Sequence, residues 1–227
     1  MRKSAMMEAA TIIVPVLDEQ DTIIRLLHGI HNSLPRAEVI IADGGCTDLT
    51  VERALNAQSP LHVRVLAVGK GLSASVLAAL QLVRTPVTVV MDADLQHPPE
   101  KLPDLVEALS DAEVAVGVRG QVLGSWPLQR RLLSRGAHLL ASVRLRGTGC
   151  KDPLSGFFAV RTNFFRAIVA QSGPRFVGEG YKVLFDLLKC APQVRLAEVR
   201  YTFDQRGGGC SKLAVRHYWA FVRSLLT

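Results

Sequence analysis

Asp92 and Asp94, two aspartates separated by one small residue, form the pattern with the clearest chemistry in this sequence. In extended backbone, residues two apart point to the same side, so both carboxylates can share a hard divalent cation, Mg²⁺ or Mn²⁺, which could bridge to a diphosphate. A chance pair is the alternative, because Asp-X-Asp is expected about once in every two chains of this length. The position favours function, since the pair follows the apolar run 87–91 and precedes a helix that opens at Pro98 and Pro99.

Acidic residues also follow the first two predicted strands. Asp18 and Glu19 come after the first, and Asp43 comes after the second, followed by Gly44–Gly45, where a backbone can approach a ligand closely. Because ligands of open α/β sheets bind at the carboxyl ends of strands, these acids are expected at one site with the aspartate pair. A capped turn into the next helix explains Asp43 equally well. His97, at a helix entry, is expected to cap or pack rather than to act as a ligand or base.

Basic residues that could bind phosphate oxygens gather in three regions. An arginine fork matches phosphate geometry, and a lysine on a glycine-rich loop can stabilise the negative charge of a departing nucleotide. A solvated basic face explains Arg131 and Arg135 equally well. The regions are Arg119; the helix candidate with Arg130, Arg131 and Arg135; and the loop from Arg206 through Gly207–Gly209 to Lys212.

Short aliphatic runs that alternate with helical patterns must position these residues. Near-continuous apolar strands are typical of a parallel sheet covered on both faces, and their alternation with helices predicts an open, doubly wound α/β sheet. The predicted strands are 11–17, 39–42, 63–68, 87–91, 114–118, 157–161 and 194–203, and the predicted helices are 20–34, 47–57, 72–84, 99–110, 127–145, 163–171, 179–190 and 213–226.

The composition limits the class of protein. With 227 residues, 48% hydrophobic and 6% aromatic, the chain fits one globular α/β domain. The net charge of +7 implies an anionic partner, and nucleic acid, an anionic membrane or a phosphate-bearing substrate would each satisfy it. The four cysteines lack paired metal or redox spacing and are expected to be free thiols in a reducing cytoplasm. We expect neither a membrane-spanning segment nor a signal peptide.

Five motifs occur in a recognisable order along the chain: Val14–Glu19, Asp43–Asp48, Asp92–Pro98, Asp152–Phe158 and Arg206–Leu213. In this order the chain resembles the dolichol-phosphate (polyprenyl-phosphate) mannosyltransferases, which are inverting glycosyltransferases of family 2. The third motif together with the Ser-Lys-Leu end of the last one carries the most specific part of the resemblance.

The resemblance implies a GT-A type fold, with a nucleotide-binding, Rossmann-like open mixed sheet flanked by helices. It also implies that mannose passes from GDP-mannose to dolichyl or polyprenyl phosphate with inversion, with Mg²⁺ or Mn²⁺ as cofactor. A single catalytic domain over 1–227 would contain a nucleotide-sugar-binding half of about 1–118, an acceptor-binding half of about 119–212 and a C-terminal amphipathic helix of about 213–227.

The resemblance further implies roles for single residues. The donor site would contain Pro15, Leu17, Glu19, Asp43, Asp92, Ala93, Asp94, Gln96, Arg206 and Lys212. The metal ligands would be Asp92, Asp94 and Gln96, the acceptor phosphate would contact Arg119, Arg130 and Ser134, and catalysis would depend on Asp94, Arg206 and Lys212. Leu17 stands where the family usually has an aromatic residue, so stacking on the base is expected to be weaker or to be provided elsewhere.

Other interpretations stay open at this point. A UDP-glucose donor or another acceptor fits the same motifs, and so does a non-catalytic partner subunit with a degenerate donor site. A basic nucleic-acid-binding module would leave the acidic strand ends unexplained, so no nucleic-acid partner is expected. We expect a peripheral protein on the cytoplasmic face of the endoplasmic reticulum or plasma membrane, with a membrane-anchoring partner subunit as a further option.

Overall fold

The structure is a computed structural model that describes residues 10–69, 71–122, 128–145, 147–177, 182–203 and 222–226, with the backbone alone described for 121–122, 128–135 and 203. Strands and helices alternate at the places that the sequence predicts. The strands are β1 (Ala10–Val16), β2 (Glu38–Asp43), β3 (His62–Ala67), β4 (Val87–Val90), β5 (Val114–Val122), β6 (Phe158–Arg161) and β7 (Leu196–Phe203). The α-helices are α1 (Ile23–Ser33), α2 (Thr50–Asn56), α3 (Leu72–Leu82), α4 (Leu102–Ala108), α5 (Leu128–Arg144), α6 (Thr162–Ser172) and α7 (Val183–Cys190).

These strands form one mixed sheet in the order β3-β2-β1-β4-β6-β5-β7. Strands β1 to β4 pair in parallel, β6 runs antiparallel to both of its neighbours, and β7 is parallel to β5. The carboxyl ends of β1, β2, β4 and β5 therefore lie at one edge of the sheet. Because β6 is reversed, its amino end lies at that same edge, together with the loop that precedes it.

Apolar side chains cover both faces of the sheet, which explains the near-continuous hydrophobic strands. Alternate residues of β1 enter opposite clusters: Ile12 and Val14 pack with α1 and α4, whereas Ile13 packs with α3 and α7. Helix α1 contributes the buried stripe Ile23, Leu26, Leu27 and Ile30, whose spacing matches a helix with one face on the core. The two hydrophobic clusters, one on each face, hold the sheet in place and so position the strand ends that carry the acidic residues.

The predicted terminal helix 213–226 lies largely outside the described residues. Its last part is helical over 222–226 and docks on the body, where the buried Lys189 ammonium donates to the backbone carbonyl of Ser224 at 2.9 Å. Lys189 also forms an ion pair with Asp186 at 3.0 Å, and both of these side chains are buried. Among the helices that the structure describes, none has the length and apolarity needed to cross a bilayer.

Candidate active site

The reversed strand β6 places two loops against each other at the carboxyl edge. Val90, the last residue of β4, pairs with Phe158, the first residue of β6. The acidic loop after β4 therefore lies beside the loop 152–157, which leads into β6. Ser155 fixes the second loop, because its hydroxyl donates to the carbonyl of Gly117 in β5 at 2.8 Å. The motifs at Asp92 and Asp152 therefore lie side by side.

The Asp92 carboxylate packs directly against Gly156. A Cβ atom added to Gly156 would lie 2.8 Å from Asp92 Cγ and 2.9 Å from its Oδ1, and closer still to Oδ2. Real Cβ atoms do not approach other atoms this closely, so the Asp92 carboxylate occupies the space that a side chain at position 156 would need. Glycine is required here for the position of a carboxylate, since its φ is not in the left-handed region.

The Asp92–Asp94 segment leaves β4 in an irregular conformation. Ala93 is buried between the two aspartates, and Asp94 accepts a hydrogen bond from the backbone N–H of Gln96 at 3.1 Å. Leu95 has a φ of 62°, in the left-handed region that costs a residue with a side chain about 1–2 kcal/mol. Such local strain is concentrated at functional sites, where surrounding structure maintains it.

His97 connects this segment to the far strand β7. Its Nδ1 is 2.7 Å from the Tyr201 hydroxyl, its Nε2 is 3.3 Å from Asp92 Oδ2, and its ring stacks on Phe157 with centroids 5.2 Å apart. Burial raises the pKa of Tyr201, so its hydroxyl remains protonated and can donate. His97 packs as expected, but its ring also contacts Asp92, a proposed metal ligand.

Arg119 and Asp152 form the second polar centre at this edge. Arg119 Nε and Nη2 donate to the two carboxylate oxygens of Asp152 at 2.6 and 2.9 Å. This bidentate pair sets the orientation of the guanidinium. The sequence motif contained Asp152, but no sequence pattern linked it to Arg119, which lies 33 residues earlier.

The loops after β1 and β2 form the other side of the edge. The Asp43 carboxylate accepts hydrogen bonds from the backbone N–H groups of Gly45 and Cys46, at 3.0 and 2.8 Å. Although burial opposes it, these bonds lower the pKa of Asp43, which holds the carboxylate ionised. Asp18 in turn accepts from the N–H of Thr47 at 2.7 Å. Asp43 is thus part of a capped turn, and its location at the strand end still suits a nucleoside contact.

A second group of possible ligands occurs among these loop residues. Within the described part of the chain, Asp18, Cys46 and Asp48 present ligand atoms within 4.8 Å of one another. Both carboxylates accept hydrogen bonds from neighbouring turns, for example from the Thr50 N–H to Asp48 at 2.9 Å. Burial raises the pKa of the Cys46 thiol to about 12, which opposes the thiolate that metal binding needs. These contacts make the group a structural cluster of the turn.

Lys182, the residue immediately before α7, is a half-buried cation that sequence reasoning missed. Its ammonium donates to the carbonyl of Leu154 at 2.8 Å, in the same loop as Asp152 and Gly156. Burial lowers its pKa to about 8. In the sequence it is an ordinary residue of the predicted helix 179–190, and only the tertiary structure brings it to the loop 152–157.

The match to a family model decides the class. Residues 11–169 match the model of "Glycosyl transferase family 2", which is more than half of the chain. The chain belongs to glycosyl transferase family 2.

Similar proteins in this family have names that agree with the resemblance. One, the dolichol-phosphate mannosyltransferase of Pyrococcus furiosus, is 33% identical over 224 residues, which are 95% of this chain and 62% of that protein. Another, the dolichol-phosphate mannosyltransferase of Saccharomyces cerevisiae, is 32% identical over 95% of this chain and 85% of that protein. The chain therefore spans less than two thirds of the archaeal relative.

Solved structures agree on the fold. The Mycobacterium tuberculosis glucosyl-3-phosphoglycerate synthase, in a complex with Mn²⁺, UDP and phosphoglyceric acid, has a TM-score of 0.69 at 20% identity, covering 99% of this chain and 78% of that one. At that identity the likeness shows the fold alone. The predicted GT-A type fold, with a mixed sheet flanked by helices, is confirmed.

The predicted site residues of this family-2 glycosyltransferase fall into two groups. The first lies at the carboxyl edge: Pro15 is buried in β1, Leu17 and Glu19 follow that strand, Asp43 ends β2, Asp92, Ala93, Asp94 and Gln96 follow β4, and Arg119 lies in β5. The second group consists of residues whose side chains the structure does not describe. Arg130 and Ser134 lie one turn apart in the backbone of α5, and Arg206 and Lys212 lie outside the described residues.

Proposed function

We propose that this glycosyltransferase transfers mannose from GDP-mannose to a polyprenyl or dolichyl phosphate, with inversion, giving polyprenyl-phosphate mannose and GDP. The observation that carries the proposal is the junction of two polar centres at one sheet edge. Asp92, packed against Gly156, suits a donor diphosphate held through a cation, and Arg119, oriented by Asp152, suits an anionic acceptor. The names of the similar proteins support the sugar and the lipid phosphate.

The residues after β4 fit a divalent cation. Asp92 and Asp94 offer hard carboxylate oxygens, the ligands that Mg²⁺ and Mn²⁺ prefer, and the missing side chain at Gly156 leaves the Asp92 carboxylate its space. Gln96 would be the third ligand. When bound, the cation would supply positive charge at the donor diphosphate. The transfer assay described below compares Mg²⁺ with Mn²⁺.

The acceptor chemistry needs no general base from the chain. A sugar hydroxyl must lose a proton as it attacks an anomeric carbon, whereas a lipid monophosphate, with a second pKa of about 6, is already an oxyanion at neutral pH. The chain's task is to orient that oxyanion opposite the leaving diphosphate. We assign the acceptor phosphate to Arg119, Arg130 and Ser134, and the charge on departing GDP to Arg206 and Lys212.

The nucleoside of the donor would bind at the loops after β1 and β2. The ionised Asp43 can accept hydrogen bonds from ring N–H groups, which both guanine and uracil carry. Pro15, Leu17 and Glu19 would form the wall of this pocket. Because a carboxylate at this place accepts from either base, competition between GDP-mannose and UDP-glucose has to separate the two donors.

The experiment is incubation with radiolabelled GDP-mannose, polyprenyl phosphate and Mg²⁺ or Mn²⁺, followed by organic extraction. We expect metal-dependent radioactivity in the organic phase that unlabelled GDP-mannose displaces and UDP-glucose does not. Displacement by UDP-glucose instead would reassign the donor. Radioactivity confined to the aqueous phase with every metal, from folded protein, would contradict the proposed acceptor.

We also propose that the chain binds the surface of an anionic membrane through an apolar patch on α5 and the C-terminal turn. Leu139 and Leu140 are 63% and 54% exposed. Arg144 Nε donates to the carbonyl of Leu225 at 3.2 Å, which joins the patch to the C-terminal turn, where Leu226 is 83% exposed. The patch lies on the helix that also carries Arg130 and Ser134, two of the proposed acceptor residues, and the net charge of +7 complements anionic lipid.

Vesicle flotation tests the membrane proposal. Leu139→Gln/Leu140→Gln should reduce binding to anionic vesicles by at least about tenfold, because full burial of one leucine contributes about 1.5–3 kcal/mol and about 1.4 kcal/mol is a factor of ten. Leu55→Gln is the matched control, since Leu55 is 59% exposed on α2, away from the patch. Binding should also weaken at high salt. Equal flotation of the double variant and the control would place the membrane contact elsewhere.

A further inference from the structure

The second half of helix α5 rests on the body of the protein through small apolar side chains. Among the side chains that the structure describes there, Ala141 is buried and Ala137 packs partly buried beside it, while Leu139 and Leu140 are exposed. Leu145, which follows the helix, is buried in the same cluster. Two alanines and one leucine bury little apolar area. Polar contacts are therefore expected to have a large part in fixing this part of the helix.

His138 makes a hydrogen bond that joins α5 to a neighbour of the site. Its Nε2 lies 2.8 Å from the carbonyl oxygen of Lys151, and because a carbonyl can only accept, Nε2 carries a proton and donates. The Ser142 hydroxyl, 3.4 Å from Nδ1, lies one turn further along the same helix. Lys151 immediately precedes Asp152, whose carboxylate orients Arg119. The contact from α5 therefore ends one residue away from the group that orients Arg119.

The segment 151–152 is also fixed by two strands. The Lys151 backbone N–H donates to Glu198 Oε1 of β7 at 2.8 Å, and the Lys151 ammonium pairs with Glu198 Oε2 at 2.9 Å. Asp152 is held to β5 through its bidentate contact with Arg119. A displaced α5 could not take this segment with it without breaking those contacts. The segment thus gives His138 a fixed acceptor on the body of the protein.

The spacing along α5 relates His138 to the proposed acceptor residues. Positions 130, 134 and 138 follow one another at intervals of four residues, so they lie on the same side of the helix. The side of α5 that His138 joins to Lys151 is therefore the side that carries Arg130 and Ser134. Arg119, the third residue assigned to the acceptor phosphate, lies on β5 at the other end of the same set of contacts.

We propose that His138 is a positioning residue for the acceptor phosphate, because it holds α5 where Arg130 and Ser134 can act together with Arg119. This inference rests on the proposed function, which assigns these three residues to the lipid phosphate. Groups on different elements that bind one ligand have to be held within about 0.5 Å of their productive positions. His138 acts on the ligand only through the position of α5 relative to the segment 151–152.

Two variants separate the hydrogen bond from the helix that carries it. His138→Ala removes the donor without weakening the helix, because alanine has the highest helix propensity. His138→Gln places an amide N–H at about the position of Nε2, so it should restore the contact with Lys151. His28→Ala is the matched control, since His28 is an exposed histidine of α1, which packs on the opposite face of the sheet.

The test measures dissociation constants by calorimetry on the full chain, with farnesyl phosphate in one arm and GDP plus Mn²⁺ in the other. We expect His138→Ala to weaken farnesyl phosphate by about 3- to 10-fold, the effect of one lost hydrogen bond, and to leave GDP within about twofold of the unaltered protein. His138→Gln should recover farnesyl phosphate binding, and His28→Ala should change neither ligand.

Three results would overturn the inference. The first is unchanged farnesyl phosphate binding in a folded His138→Ala chain. The second is an equal weakening of both ligands together with a lower melting temperature, which would make His138 a general structural link. The third is a folded His138→Gln chain that binds farnesyl phosphate as weakly as His138→Ala does. If the unaltered chain binds both ligands but transfers no mannose, the proposed function fails, whereas a selective loss of farnesyl phosphate binding in His138→Ala still supports the positioning role.

Discussion

Gly156→Ala should slow the enzyme strongly without unfolding it. The new Cβ would lie 2.8 Å from Asp92 Cγ and 2.9 Å from Oδ1, whereas Cβ contacts below 3.0 Å are essentially never seen. The carboxylate must therefore move by about an ångström, and a misplacement of that size at a reacting site costs roughly 10²-fold in rate. We expect kcat/KM to fall by about 10²-fold, equivalent to about 2.7 kcal/mol of transition-state stabilisation.

The stability of this variant separates a positioning effect from a folding effect. The backbone at Gly156 is not left-handed, and the neighbour that must move is the end of a side chain, so the fold should tolerate alanine. Gly136→Ala is the matched control, because a Cβ added at this position of α5 would meet no atom of the described residues within 4 Å. That control should keep full activity and gain up to about 1 kcal/mol from helix propensity.

Three measurements are made on both variants: steady-state mannosyl transfer, Mn²⁺ affinity in the presence of GDP, and thermal melting. Gly156→Ala should weaken Mn²⁺ binding as well as turnover, since Asp92 is the displaced group. Full activity with unchanged Mn²⁺ affinity would refute the metal assignment of Asp92. A melting temperature far below that of Gly136→Ala would instead show that the glycine is needed for the fold.

Two further predictions concern the polar contacts around this edge. Tyr201→Phe removes the hydroxyl that lies 2.7 Å from His97 Nδ1. We expect kcat/KM to fall by about 5- to 30-fold, the size of one lost buried hydrogen bond, with little change in the KM for lipid phosphate. Unchanged kinetics would leave His97 with a packing role alone. Lys189→Met leaves Asp186 buried without its cation, so the free energy of unfolding measured in urea should fall by about 3–5 kcal/mol, and a loss below 1 kcal/mol would contradict the buried pair.

The sequence could predict the elements because their causes are local. Apolar runs such as 87–91 and the helical stripe of α1 each carry their own periodicity, and the acidic residues follow strands whose direction a parallel sheet determines. The contact of Asp92 with His97 could have been predicted, since the two residues are only five positions apart at a strand end. The sequence offered no signal that His97 would also meet Tyr201, which lies 104 residues later.

Sequence reasoning could not place Lys182 or pair Arg119 with Asp152, for a physical reason. Both contacts depend on where the loop 152–157 lies, and its place is determined by the direction of β6. A doubly wound parallel pattern leaves that loop on the opposite edge, because a parallel β6 would begin where the other strands begin. The mixed sheet was expected from the family resemblance alone, and the pairing of β6 with β4 and β5 confirms it.

The reversal of β6 would also allow one edge to bind the two phosphate-bearing substrates of the proposed reaction. In an all-parallel sheet, the carboxyl edge receives only the loops that leave strands, and here those loops are acidic after β1, β2 and β4. The reversed strand adds a loop that enters a strand, which brings Asp152 beside Arg119 and the Leu154 carbonyl beside Lys182. Under the proposed function, the acidic loops would hold a cation and its diphosphate, and Arg119, oriented by Asp152, would meet the acceptor monophosphate beside them. In that proposal, the acceptor phosphate would attack the anomeric carbon of the donor, with GDP leaving, near the contact between Asp92 and Gly156.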